Sequence, residues 1–290
     1  MRIVSMVMAA AAAVGLSAAS ANAQCEVTIH SNEGKLLAFY TVPLVFSAAT
    51  EPEGMSAGSV RLGFEGEYIP KPNPEIQRTG KCFLQKSEHT SLSPVFGRPR
   101  ITIGLPASFA IEASYLPPVK IADAKPNLGS VAVSHTQRLP FSRVDGGATL
   151  MIRANATFGN VKGPITCPRS ALQTTDPSAA CYGTKPSNDT FSPNMYGIEV
   201  LAAVRPPLSM LGFYAGAGAN QIDPHFQVGF TNGQGGVDNT KVQLDEPLTR
   251  LTLTAGATAH VKDRIDIGAQ IFSVPEDVTT FRLGAGISFR

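Results

Sequence analysis

The sequence has no tryptophan, and beyond residue 23 it has no apolar run long enough to cross a bilayer as a helix, which takes about 20 residues. Membrane proteins built from helix bundles are thereby excluded. The formal net charge is only +2, so no field exists to gather a polyanion, and nucleic acid is excluded as a partner. No CxxC occurs and no histidine stands at ligand spacing from a cysteine pair, which argues against a structural zinc site. Phosphate-binding loops and dinucleotide fingerprints are missing as well. No cofactor or metal is expected.

What is present begins with an export signal. Arg2 precedes an apolar run from Ile3 to Leu16, and the small residues Ala21-Asn22-Ala23 form a cleavage site. Residues 1–23 therefore read as a signal peptide, since the run is too short to span a membrane. Cys25 lies close behind, but Asn22-Ala23-Gln24 is not a lipid-attachment box. The four cysteines, Cys25, Cys82, Cys167 and Cys181, form an even set in an exported chain and read as disulfides. Three pairings are possible. Closing the short loop Cys167–Cys181 costs the least entropy and leaves Cys25 with Cys82.

From residue 59 onward, apolar residues alternate with polar or small ones, the period of a strand with two different faces. The clearest case is the last, where Phe281, Leu283, Ala285, Ile287 and Phe289 alternate with Thr280, Arg282, Gly284, Gly286 and Ser288. Strands are expected near 59–68, 100–105, 108–116, 128–136, 147–158, 195–204, 210–217, 250–259, 264–272 and 278–289. The connections separate a membrane barrel from a soluble sandwich. Those after the odd strands (69–99, 117–127, 159–194, 218–249 and the short 273–277) are, the last apart, longer than those after the even strands (106–107, 137–146, 205–209, 260–263). Long outer loops opposite short turns are the habit of an up-and-down transmembrane barrel. The expected fold is all-β, an antiparallel barrel of about ten strands over residues 59–290. Twelve is the alternative, if residues 24–58 and 225–231 each add a strand.

The two faces differ chemically. One carries Leu62, Phe64, Tyr68, Ile101, Ile103, Phe109, Ile111, Val131, Val133, Ile152, Tyr196, Ile198 and Phe213, with almost no charge, and suits lipid. The other carries Arg61, Glu65, Glu67, Arg100, Glu112, Arg153, Glu199, Arg250, Arg264, Asp266 and Arg282, and suits a lumen. Lysine is absent from these segments. Near-balanced arginines and acids fit a confined polar interior, where a guanidinium forks carboxylates in fixed geometry. So few strands enclose little more than their own side chains, which excludes a wide pore.

The final strand, with its apolar residues at every second position ending in Phe289, resembles the assembly signal of bacterial outer-membrane β-barrel proteins. Arg290 departs from the usual terminal aromatic residue. The resemblance implies an outer-membrane address, contact with outer-membrane lipid and lipopolysaccharide, and recognition by the barrel-assembly machinery. Residues 24–58 do not alternate. Leu36 to Phe46 is apolar on all sides and is interrupted by Pro43. It reads as a lumenal plug, an added strand or a periplasmic tether. A Cys25–Cys82 bond selects the plug, because Cys82 is in the first outer loop while the first strand starts at the opposite rim. That topology is similar to the N-terminal hatch of outer-membrane transporters for fatty acids and aromatic hydrocarbons.

Catalysis finds little support. Ser134 and His135 are neighbours on a strand and point to opposite faces. Asp223, His225 and Asp238 share a long loop, but nothing in the sequence fixes their geometry, and Gly233 to Asn239 reads as a turn rather than a calcium loop. The long loops also carry Lys71, Arg78, Lys81, Lys86, Arg169 and Lys185, suited to lipopolysaccharide phosphates or a surface partner. Three functions follow in order: a narrow or plugged channel for an unknown small or hydrophobic solute, a structural or surface-interaction barrel with a sealed lumen, and an outer-rim hydrolase. The chain is not expected to be an enzyme.

Overall fold

In a computed structural model, the structure describes residues 24–77, 80, 82, 95–120, 123–139, 147–207, 209–261 and 264–289. The signal segment 1–23, Arg78, Lys81, Lys86 and Arg290 lie outside these.

Ten antiparallel strands close on themselves: β1 (Val60–Tyr68), β2 (Val95–Gly104), β3 (Phe109–Leu116), β4 (Lys125–Leu139), β5 (Ala148–Gly163), β6 (Met195–Val204), β7 (Leu211–Ile222), β8 (Leu248–Val261), β9 (Ile265–Val274) and β10 (Val278–Phe289). Each strand pairs with its sequence neighbours. The ring closes where β10 meets β1, in a register running from Phe289 opposite Val60 to Phe281 opposite Tyr68. Closure leaves the ring without a free edge strand. Several strands run longer at the outer end than alternation indicates. Lys125 and Lys162 thereby fall within strands that the sequence pattern leaves free of lysine.

Outward positions carry exposed apolar side chains on every strand, Phe64, Ile111, Val131, Ile152, Ile198, Phe213, Leu251, Ile267 and Leu283 among them. The intervening side chains turn inward and are buried even when charged. Pro99 sits inside β2, a position its missing N–H would forbid in a fully paired strand. It faces outward opposite Phe64, and the ladder between β2 and β3 begins only at Ile101, so no donor is needed there.

The chain before the barrel starts at the outer rim. Residues Gln24–Val27 pair in parallel with Lys241–Leu244, which belong to the loop between β7 and β8. From there a sheet continues through His225–Gln227 and Asp189–Ser192 onto the outer end of β5 at Val161–Gly163. The stretch at 225–231 thus supplies a cap strand and leaves the barrel count at ten. Both disulfides brace this cap, Cys25–Cys82 and Cys167–Cys181. Asp189, fully buried, ties its loops by accepting from the Thr166 and Gly229 amides and from the Ser187 hydroxyl.

Helix α1 (Asn32–Thr41) follows. Its N-cap Ser31 accepts from the Gly34 amide at 3.0 Å, satisfying one of the free donors of the first turn. The helix packs its apolar residues into a core with Phe191, Phe226, Phe230 and Val242 of the cap and with Phe272, Val274 and Val278 of the barrel. Pro43 interrupts the helical ladder within a 3-10 turn, Val42–Leu44. Beyond it the chain runs extended down the lumen to the inner rim, where Gly58 and Ser59 exchange backbone bonds with Gly104.

Candidate functional site

The lumen is where the charged residues meet. An extended chain inside a barrel has no strand partner, so its carbonyls need donors from the wall. Four buried arginines supply them. Arg282 reaches Pro43 O at 3.1 Å and Val45 O at 3.2 Å. Arg98 donates to Leu44 O at 3.1 Å and Val45 O at 2.8 Å. Arg153 donates to Phe46 O, and Arg100 to Ser47 O at 2.5 Å. Every carbonyl from Pro43 to Ser47 is held by a guanidinium. The Phe46 ring lies under three of them, 4.2 Å from Arg100, 4.8 Å from Arg98 and 4.9 Å from Arg153, a cation–π arrangement strengthened by the dry setting.

The same arginines are neutralised by four glutamates in one chain across the wall. Arg282 pairs with Glu67 at 3.0 Å, Arg98 with Glu65 at 2.9 Å, and Arg100 with Glu65 and, at 2.6 Å, with Glu112. Arg153 bridges Glu112 at 2.8 Å and Glu199 at 2.9 Å. Glu199 then accepts the Ala48 amide at 3.0 Å. Positive and negative groups match one for one, which is what the burial of all but the partly exposed Glu112 demands. Two glycines make the space for the plug: a Cβ on Gly268 or Gly284 would stand 2.9 Å or 2.8 Å from Ala49 O.

A second cluster holds the plug at its inner end. Glu51 donates its amide to Thr258 Oγ1 at 2.8 Å, and its carboxylate lies 2.9 Å from His260 Nε2 and 3.4 Å from Arg205. His260 Nδ1 is 2.7 Å from Asp266, which also pairs with Arg61. Ligand atoms of Glu53, His260 and Asp266 lie within 4.8 Å of one another, close enough for a metal. Arg61 already pairs with Asp266 and Arg205 with Glu51, so the cluster acts as a clasp on the plug.

Outward apolar belt and inward charge network together decide the setting. The chain is a plugged transmembrane β-barrel. A water-soluble protein would bury the belt and expose the network; here each is placed for lipid outside and a dry lumen within.

The sequence-derived lumen set divides accordingly. Glu65, Glu67, Arg100, Glu112, Arg153, Glu199 and Arg282 form the central network, and Arg61 and Asp266 join the inner clasp. Arg250 stands apart at the outer end, bonded to Asp277 at 2.7 Å and Glu276 at 2.6 Å. Arg264 is a correction: it lies exposed in the turn before β9, because alternation was carried one residue beyond the strand's start at Ile265. Arg98 was missed through a strand start placed after Pro99. Phe46, Ser47 and Glu51 carry no sequence signal, since their partners come from strands far along the chain. His225 bonds to the Asp223 carbonyl at 3.0 Å and to Asn194 at 3.3 Å, and Asp238 accepts from Thr240 at 2.7 Å in its own turn. On the outer side, a cleft of about 370 Å³ opens beside α1, lined by Ile29, His30, Lys35, Phe39, Ile76 and Arg250 among others.

No protein-family model matches the chain, and no curated protein matches it. Solved structures similar to it include the translocator domain of the autotransporter NalP from Neisseria meningitidis, with 9% identity, a TM-score of 0.35, and coverage of 89% of this chain and 94% of that one. Ail, the attachment invasion locus protein of Yersinia pestis, matches with 12% identity and a TM-score of 0.31 over 81% of this chain and 100% of its own. The toluene transporter TbuX of Ralstonia pickettii matches with 9% identity and a TM-score of 0.29 over 81% and 89%.

Proposed function

We propose that this barrel is a sealed anchor in the bacterial outer membrane, and that its working part is the disulfide-braced cap, which it presents to the cell exterior for contact with a surface partner. The observation that carries this reading is the arginine clamp. Withdrawing residues 43–48 from the lumen would separate all four arginines from the plug carbonyls and expose a dry charge network built around it. A hydrogen bond to a charged group contributes about 1.5–3 kcal/mol, and the clamp makes six of them to the plug carbonyls, so the plug does not swing aside as a gate. Its two ends are also fixed, one by the Cys25–Cys82 bond and the other by direct continuation into β1.

A second reading, a carrier for a small apolar solute, draws on the outer cleft with its Ile29, Phe39 and Ile76 walls. Planar-bilayer recording of the refolded chain separates the two. Silence at moderate voltage, unchanged by apolar solutes, is expected; steady unitary openings, or openings elicited by such a solute, would overturn the sealed-anchor reading.

A further inference from the structure

The outward face of the barrel carries an unpaired positive site at its outer rim. In the ladder between β4 and β5, Lys125 stands directly opposite Lys162. Both side chains are exposed and both fall on the outward parity, since Asn127, Val131 and Val133 of β4 and Phe158 and Ile152 of β5 face the same way. Like charges directly across a ladder repel, and neither lysine makes an ion pair among the described residues. The acid of the preceding loop, Asp123, is engaged with Lys120 at 2.7 Å. Elsewhere on the rim the corresponding outward positions are uncharged, with Gln221 on β7, Thr249 on β8, Ser273 on β9 and Thr279 on β10. The lysine pair is therefore a local exception.

Its height on the wall points to an occupant. Tyr115, Gly129 and Phe158 lie side by side in register, with Tyr196 on the next strand, and these exposed aromatic side chains mark the belt where barrels meet lipid headgroups. The lysines stand four residues further out, about 14 Å along the strand and less along the membrane normal because barrel strands tilt. Long flexible side chains there bend their ammonium groups down to the headgroup level. A phosphomonoester, with nearly two negative charges and three acceptor oxygens, can bridge both. Below it the register places Asn127 opposite Asn160 and then Gly129 opposite Phe158 at the top of the lipid-facing belt, so acyl chains attached to such a phosphate run down onto Phe158, Ala154 and Val131.

We infer that Lys125 and Lys162 bind a phosphate group of an anionic lipid in the outer leaflet, a role that relieves their mutual repulsion. The inference rests on the membrane reading above. The test uses the full mature chain refolded in detergent, titrated with bis-phosphorylated lipid A and followed by native mass spectrometry. Binding is expected to weaken about thirtyfold in the Lys125→Gln, Lys162→Gln double variant, the equivalent of about 2 kcal/mol, and to be lost with dephosphorylated lipid A. Lys241→Gln, on the exposed cap sheet, serves as the control and is expected to bind like the parent. Lys125→Glu, which creates an internal pair with Lys162, is expected to keep the fold and lose the lipid. Equal binding by the double variant, retention of dephosphorylated lipid A, or equal occupation by inorganic phosphate would overturn the inference. Heat-modifiable migration on gels is recorded in parallel; its loss in the parent protein would overturn the membrane reading itself.

Discussion

Replacing Arg153 and Arg98 in turn by methionine removes the same charge from the same network while keeping similar volume, yet the two variants differ in what they orphan. Arg98 leaves only groups that have a second donor: Leu44 O keeps the Thr157 hydroxyl at 3.3 Å, Val45 O keeps Arg282 at 3.2 Å, and Glu65 keeps Arg100. Arg153 leaves Phe46 O with no other donor among the described residues, and leaves buried Glu199 with only the Ala48 amide. An unsatisfied buried carbonyl costs about 1–3 kcal/mol, and a buried carboxylate stripped of its cation about 3–5 kcal/mol. Arg153→Met is therefore expected to destabilise the protein by roughly 4–8 kcal/mol, and Arg98→Met by about 1–3 kcal/mol. Urea unfolding in lipid bilayers, followed by circular dichroism because the chain has no tryptophan, measures both. Adding Glu199→Gln to Arg153→Met neutralises the orphaned acid and should recover about half of the loss. Equal costs for the two single variants, or no recovery in the double, would refute the argument that acceptor coverage sets the strength of the clamp.

Reducing Cys25–Cys82, or replacing both cysteines by serine, opens a loop of 57 residues and should lower stability by about 4 kcal/mol on the chain-entropy account; hydrogen exchange should quicken at Gln24–Val27 while the barrel ladder keeps its protection. Tyr40 holds a buried hydroxyl with no hydrogen-bond partner among the described residues, and burial pushes its pKa up to about 12. Stability from this group is complete below pH 10 and is lost as pH rises towards 12; Tyr40→Phe should remove that alkaline loss, and at neutral pH should be neutral or stabilising by about 1 kcal/mol. Gly284→Val places a branched side chain against Ala49 O and should expel the plug near that point, read as new protease cleavage between residues 48 and 58 with the strand content retained.

Much of the barrel was legible because a strand shows its two environments at every second residue. Lipid and lumen impose opposite chemistry on the two faces, so Phe281, Leu283 and Ile287 reveal one wall and Arg282 the other without knowledge of any neighbour. The even cysteine set and the asymmetry of the connections are likewise local properties. Strand ends were less legible. Arg264 fell outside its strand and Arg98 inside one, because termini depend on where the pairing partner stops, and Pro99 is tolerated only because β3 leaves that stretch of β2 unpaired. Single residues of the plug were illegible. Phe46 looks like any apolar side chain until Arg98, Arg100 and Arg153, from strands β2 and β5, converge on it. Alternation along the chain suffices for a two-faced antiparallel wall with balanced charge on its inner side. That those charges face each other around an extended chain emerges from the folded barrel, because each arginine must satisfy a glutamate and a backbone carbonyl contributed by distant segments, and closure of the ring is what brings them within reach.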